Sequence, residues 1–346
     1  MFQANDKNFS SRLLYEGTVR KEILEALPLN IREIIMNIPK TQGAAMEEIR
    51  LRINRPLMIY ANNEDIHLDP RGEIVKDRAK SYMVTATDIS KAFQLITDYS
   101  IYALEEEIRN GFITIKGGHR VGICGRVVLN GNKIKTIKDI SGLNIRISKQ
   151  ILGVSDGLMG YIITPTKEFL NTLIISPPQS GKTTLLRDII RNLSNGMRVP
   201  IFHGYKVALV DERSEIAGCY QGIPQNDIGY RSDVLDACPK AEGIMMLIRS
   251  MSPQIIATDE IGRKEDIEAI EEALHAGIKL ITTVHGKDLD EVTRRPTLNQ
   301  LLKQKIFERI IILTNQPRVG TIHSIIDGSS RDILYTHGIG GKEFVG

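Results

Sequence analysis

The chain has 346 residues, enough for two domains of ordinary size, and its 42% hydrophobic and 25% charged residues exclude disordered, collagenous and low-complexity classes. No apolar run reaches the roughly 18–20 residues of a membrane-spanning helix, and Met1 to Lys7 lack the apolar stretch of a signal peptide, so the expectation is a cytosolic protein. Net charge is only +3, and the three cysteines, Cys124, Cys219 and Cys238, stand too far apart to suggest a disulfide framework or a zinc site.

Residues 1–28 read as a helical lead-in closed near Pro28. Ile49 to Ile53 alternate apolar and basic residues as a half-buried strand does, and Leu57 to Tyr60 form a second strand after Arg55 and Pro56. Asp88–Tyr99 and Ile101–Arg109 read as helices, the second capped by Ser100 and stopped by Asn110 and Gly111. Phe112–Ile115 and Val121–Cys124 are strands around a short loop, and Asn130-Gly131 turns a hairpin between Arg126–Leu129 and Lys133–Thr136. Residues 1–150 are therefore expected to form a small α+β domain with an antiparallel sheet. Within it, residues 109–149 carry nine basic side chains against one acid, Asp139, a bias that suits an anionic partner.

The rhythm changes after Gly153, and 151–160 is expected to be a linker. From there strands and helices alternate: strand Thr172–Ile175, helix 182–193, strand Lys206–Val210, helix 240–251, strand Gln254–Thr258, helix 264–276 and strand Lys279–Val284. That alternation predicts an α/β domain over 161–346 with a mainly parallel sheet.

Ser176-Pro-Pro-Gln-Ser-Gly-Lys-Thr-Thr184, between a strand and a helix, is the sharpest chemical signal. In such a phosphate-binding loop, backbone N–H groups converge with the helix N-terminus on a nucleotide's phosphates. Ser180, Gly181, Lys182, Thr183 and Thr184 are the candidate nucleotide-binding residues. Gly181 allows close backbone approach, Lys182 neutralises the β/γ oxygens, and Thr183 offers a hydroxyl to Mg²⁺. Ser176 stands where the pattern expects glycine, which affects only the loop entry.

A second acidic site is needed to hold the metal and orient water. Asp259 and Glu260 end an apolar strand, the edge at which open α/β sheets bind ligands. Asp259 is the candidate magnesium residue and Glu260 the candidate base. Asp211, Glu212 and Glu215 follow another apolar strand, and spacing alone does not choose between a metal-shell, water-positioning or ion-pair role for each. His285, at the end of the next strand, is the candidate sensor of the γ-phosphate, with Thr282 and Thr283 as lesser candidates.

This order of motifs resembles the ATPases of type II and type IV secretion and pilus retraction. The blocks that carry the likeness are the loop, the acidic box, the run from Ile248 to Glu260, and Thr283-Val-His-Gly286. Met46–Arg52, Gly118–Gly125 and Ser141–Ile147 extend it toward a sporulation family of endospore-forming bacteria. The resemblance covers about residues 45–290. It implies a RecA-like P-loop fold, Mg²⁺-dependent ATP hydrolysis, and a homo-oligomeric, hexameric ring at the inner face of a membrane, working on membrane proteins of a sporulation channel. It also implies that Arg120 and Arg146 reach the nucleotide, whereas Arg126 has no such support, although even spacing is expected to point it the same way as Arg120. The secretion family has Gly-Glu where Asp259-Glu260 stands, and its following arginine falls one step later here, at Arg263, which is left out of the site.

Two other functions compete. A nucleic-acid-binding ATPase would use the basic stretch 109–149 along a phosphate backbone, but only Phe112 there offers an aromatic stacking surface, so nucleic acid is the less favoured partner. A nucleotide-gated structural module would leave Glu260 idle.

Overall fold

A computed structural model describes residues 19–198 and 201–337; residues 1–18 of the expected helical lead-in lie outside them. Two units, one ending at Lys149 and one beginning at Gln150, each hold their own sheet and core.

The described part of the N-terminal unit opens with three short helices, α1 (Lys21–Glu25), α2 (Leu29–Met36) and α3 (Lys40–Ala45), the last two entered through Pro28 and Pro39. Its strands are β1 (Met46–Arg52), β2 (Met58–Ala61), β3 (Glu64–Leu68), β4 (Ile74–Val75), β5 (Phe112–Ile115), β6 (His119–Asn130) and β7 (Lys133–Arg146). They pair antiparallel in the order β4-β3-β2-β1-β7-β6-β5. In β1, Ile49 and Leu51 are buried while Arg50 and Arg52 face outward, the period-two pattern of a sheet with one covered face, and Met46 is buried across a register shift.

Two helices connect β4 to β5: α4 (Ala86–Ile96) and α5 (Glu105–Arg109). α4 starts two residues before the expected Asp88 because Thr85 is the cap. Asp88 N–H donates to Thr85 Oγ1, and Thr85 N–H donates to the Asp88 carboxylate. The helix expected from Ile101 begins instead as a 3₁₀ turn over Ile101–Leu104, and Ser100 makes no side-chain cap. β6 and β7 are longer than their expected pieces. Gly125 sits at a register shift in β6, where a Cβ would lie 2.6 Å from the Lys138 carbonyl oxygen, so a glycine lets the ladder continue.

The C-terminal unit contains β8 (Thr172–Ser176), β9 (Gly196–Arg198), β10 (Ile201–His203), β11 (Val207–Asp211), β12 (Ser232–Asp236) and β13 (Ile255–Thr258). β14 (Lys279–His285), β15 (Arg309–Thr314), β16 (Thr321–Asp327) and β17 (Ile333–Thr336) follow. Apart from the small β9–β10 pair, they form one sheet in the order β12-β11-β13-β14-β8-β15-β16-β17, parallel from β12 to β15 and antiparallel beyond. Its helices are α6 (Met159–Ile162), α7 (Lys182–Asn195), α8 (Lys240–Met251), α9 (Lys264–His275), α10 (Leu289–Thr293) and α11 (Pro296–Lys303).

The central strands are buried on both faces, which explains their nearly unbroken apolar runs. Val207 and Leu209 join one core with Leu185, Ile189 and Leu193 of α7. Ala208 and Val210 join the other, with Ile244 and Leu247 of α8, Ile267 and Ile270 of α9, and Leu298 and Leu301 of α11. The result is a three-layer arrangement of helix, sheet and helix.

Candidate nucleotide site

The strand order β13-β14-β8 brings three carboxyl-end tips side by side. Thr258 of β13 lies opposite Thr282 of β14, and His285 of β14 lies opposite Ser176 of β8. Side chains just beyond these tips converge although they are far apart in the sequence.

The turn leaving β8 has Gln179 and Gly181 at φ 59° and 81°, and Gly181 is the N-cap of α7 with no side chain hydrogen-bonded across the helix end. The first-turn N–H groups of α7 are thus available to an anion. A Cβ on Gly181 would stand 3.1 Å from Gly320 Cα, so positive φ and close packing both require glycine there. Ser180 and Lys182 are buried, and Thr183 and Thr184 are half-buried. Ser176, at the departure from the glycine pattern, is buried and donates its hydroxyl to the Pro177 carbonyl.

Lys182 is only 7% exposed, and its charge is met by Glu260. Nζ donates to Glu260 Oε1 at 2.8 Å and lies 3.3 Å from His285 Nε2, which is itself 2.8 Å from the same Oε1. Arg213 Nη1 lies 3.0 Å from the other carboxylate oxygen. Burial pushes the Glu260 carboxyl up, but the Lys182 hydrogen bond and charge, with His285 and Arg213, outweigh it and hold the group below the ordinary range. Glu260 also sits at φ 43°, a left-handed conformation that costs about 1 kcal/mol or more for a residue with a side chain. Its N–H donates to Thr283 Oγ1 at 2.9 Å, which anchors the backbone in that conformation.

Asp259, next to it, is buried, and burial pushes its carboxyl up, with Glu260 adding to the rise and Lys240 and Lys182 opposing it. Its Oδ1 accepts no hydrogen bond among the described residues, and Lys240 Nζ stands 3.8 Å away. An orphaned, buried carboxylate oxygen near the loop lysine's charge fits a divalent cation reached through water, with Thr183 as its partner. Among the described residues no three His, Cys, Asp or Glu side chains form a metal cage of their own, so nucleotide oxygens and water would complete such a shell.

The acidic box divides its labour. Asp211 is fully buried and accepts from the N–H groups of Glu215, Ile216 and Ala217 at 3.0, 2.9 and 2.8 Å. It therefore builds the loop after β11, and burial pushes its carboxyl up to about 6. Glu212 is paired with the buried Lys240, and Arg263 Nη1 lies 3.9 Å from it. Glu215 is half-buried, and its carbonyl accepts from Arg187 Nη2 at 2.6 Å while Arg187 Nε donates to the Ile216 carbonyl at 2.5 Å. Arg187 belongs to α7, so the acidic loop is pinned to the helix that carries Lys182.

Arg120 and Arg146 lie in the N-terminal unit, directly opposite each other across β6 and β7. The Arg120 guanidinium covers the Phe112 ring at 3.5 Å, and Arg146 Nε is 3.9 Å from Glu48 Oε1. Arg126 lies past the Gly125 irregularity and pairs with Asp139 at 2.9 Å, whereas Arg146 is the cross-strand neighbour of Arg120.

Sequence reasoning passed over Arg213 and Lys240. Arg213 lay inside the acidic box but was not assigned a role. Lys240 follows Pro239 at a helix start, a position with no chemical signature; only the adjacency of β11 and β13 shows that it serves both Glu212 and Asp259.

A cavity of about 150 Å³ opens beside Gly181 and Thr184, walled by Val154, Leu185, Val319 and Ile322, with Arg318 also lining it.

A family described as "Sporulation stage III, protein AA" matches residues 18–333. The stage III sporulation protein AA of Bacillus subtilis (strain 168) is 44% identical over 320 residues, covering 92% of this chain and 98% of that protein. Among solved structures, the pilus retraction motor PilT with bound ADP aligns with a TM-score of 0.52 at 16% identity, over 85% of this chain and 78% of that one. The Legionella pneumophila ATPase DotB aligns at a TM-score of 0.49 and 17% identity, over 77% of this chain and 72% of that one. The fold is the RecA-like one of secretion ATPases, preceded by an antiparallel-sheet domain.

Proposed function

The chain belongs to the sporulation stage III protein AA family, and from that premise we propose that it is a Mg²⁺-dependent ATPase of the secretion-motor type. Its hydrolysis would drive a membrane-associated, secretion-like apparatus during endospore formation. The observation that carries this reading is the convergence of Lys182, Glu260 and His285 at one sheet edge, beside a helix N-terminus with no side-chain cap.

In this reading the triphosphate lies on the N–H groups that begin α7, and the base enters the apolar cavity beside Thr184. Lys182 turns from Glu260 to the β/γ oxygens, which frees the Glu260 carboxylate. Glu260 then accepts a proton from water as the water oxygen bonds to the γ-phosphorus and the bond from that phosphorus to the β–γ bridging oxygen breaks. Arg213 keeps the carboxylate aimed, the Thr283 hydroxyl holds the Glu260 backbone, and His285 shares the carboxylate's proton network. A magnesium ion held by Thr183 and, through water, by Asp259 would supply charge neutralisation at the phosphates.

Calorimetry with ATP and steady-state phosphate release test the assignment. Lys182→Ala should abolish binding or nearly so and remove turnover; unchanged affinity would sink the site, and no phosphate release by the wild type above this variant would sink the enzymatic reading.

A further inference from the structure

Past Gly125, β6 and β7 leave their neighbours. β5 pairs only with His119–Gly122 of β6, and β1 only with Gly142–Arg146 of β7, so residues 126–138 form a two-stranded ribbon beyond the sheet. The register gives it two different faces. Val127 lies opposite Ile137 and, across a register shift after Val128, Leu129 lies opposite Ile134, while Arg126 lies opposite Lys138 and Asn130 opposite Lys133. Val127, Leu129 and Ile134 are 47%, 61% and 43% exposed, which is unusual for three large aliphatic side chains on one face. Lys133, Lys135 and Lys138 are exposed as well.

The C-terminal unit carries a surface of opposite character. A groove of about 630 Å³ runs between α8 and α9, with Ala241, Met245 and Ala269 as its apolar part and five glutamates lining it, Glu268 and Glu272 among them.

We propose that the β6–β7 ribbon is a docking arm that seats in the α8–α9 groove of a second copy of this chain. Three complementarities support this occupant. The apolar face of the ribbon needs a dry partner, and the groove has apolar side chains to offer. The basic residues flanking that face meet glutamates, one of which, Glu268, already lies 3.3 Å from Lys264 on its own helix, so the complementarity is one of net sign. The lengths also match: five residues from Arg126 to Asn130 span about 17 Å as strand, and the 12 residues of α8 or α9 span about 18 Å as helix. A nucleic acid would satisfy the lysines and leave Val127, Leu129 and Ile134 uncovered. Because the ribbon and groove are different surfaces, the contact is head-to-tail and can repeat around a ring. The inference deepens the assembly expected of the motor reading but does not depend on ATP hydrolysis.

The test is molecular mass by sedimentation at physiological salt, with and without a magnesium–ATP analogue, on chains verified as folded by circular dichroism. Lys133→Glu with Lys135→Glu should reduce the assembled wild type to monomer, and Glu268→Lys with Glu272→Lys should do the same. All four substitutions in one chain should restore assembly, because the charges are exchanged rather than removed. Phosphate release by each variant, read separately, reports the ATPase assignment. A wild type that stays monomeric in both conditions, single-side variants that still assemble, or a four-fold variant that stays monomeric would each overturn the proposal. Lysine-dependent binding of a monomeric wild type to phosphatidylglycerol vesicles would overturn it too, and would reassign the ribbon to a lipid surface.

Discussion

Replacing Glu260 with glutamine should move binding and chemistry in opposite directions. In the structure Lys182 is committed to Glu260, with Nζ 2.8 Å from Oε1 and the two side chains only 7% and 19% exposed. A nucleotide must break that contact before it can use the lysine. At an effective dielectric of about 20, bare attraction at this distance is about 6 kcal/mol, an upper bound before solvation is returned. A hydrogen bond to a charged group contributes about 1.5–3 kcal/mol net. Glutamine keeps the shape but surrenders the charge, so most of that net term no longer opposes ATP. Affinity for ATP should rise by about 10- to 100-fold. The amide cannot accept a proton from water, so turnover should fall by about 100-fold or more. Calorimetry and single-turnover phosphate release on the same sample read both effects. Unchanged or weaker ATP binding would refute the competition between nucleotide and Glu260 for Lys182, and near-normal turnover would remove Glu260 as the base.

Three further outcomes are expected, the first from the resemblance to secretion ATPases and the other two from the geometry. Arg120→Ala or Arg146→Ala should impair ATP hydrolysis without any DNA or RNA present; intact basal turnover with weaker, less salt-dependent oligonucleotide binding would favour the nucleic-acid reading instead. Asp211, raised from 3.8 to about 6, contributes stability that is full below the lower value and is lost as pH rises through the upper one. The stability of the wild type relative to Asp211→Asn, measured by urea unfolding, should therefore grow as pH falls from 7 to 5, and a flat difference would contradict it. Lys240→Met should leave the buried Asp259 without its lysine and Glu212 with only the distant Arg263, and destabilise the fold by about 3 kcal/mol, read in the same urea assay; an unaltered midpoint would show that the pair carries no net stability.

The C-terminal unit was readable because its signals are local. Apolar runs ended by carboxylates marked β11 and β13, and the predicted helix over 240–251 has the bounds of α8. The pairing of Glu260 with Lys182 was not readable, since it needs β14 to lie between β13 and β8. Arg213 and Lys240 were missed for the same reason: what they touch is set by strand order. In the N-terminal unit, Gly125 falls between the predicted strands Val121–Cys124 and Arg126–Leu129, yet it lies inside β6 because a glycine lets the ladder pass an irregularity. Residues 101–104 kept helical periodicity over a single turn, too short to separate a 3₁₀ turn from an α-helix.

The position of β8 also governs the order in which the protein can be made. This strand carries the phosphate loop, but its sheet neighbours are β14 and β15, residues 279–285 and 309–314, synthesised long after it. A chain elongating on the ribosome holds Leu173, Ile174 and Ile175 with both strand edges unpaired until more than a hundred further residues have emerged. Non-local parallel pairing of this kind forms slowly, and an open apolar strand is a template for association with other chains. The nucleotide site is thus among the last features to be completed. A polypeptide cut short after α9 would keep the phosphate loop in its sequence but lack the two strands that hold it in place, and would be prone to aggregate rather than bind.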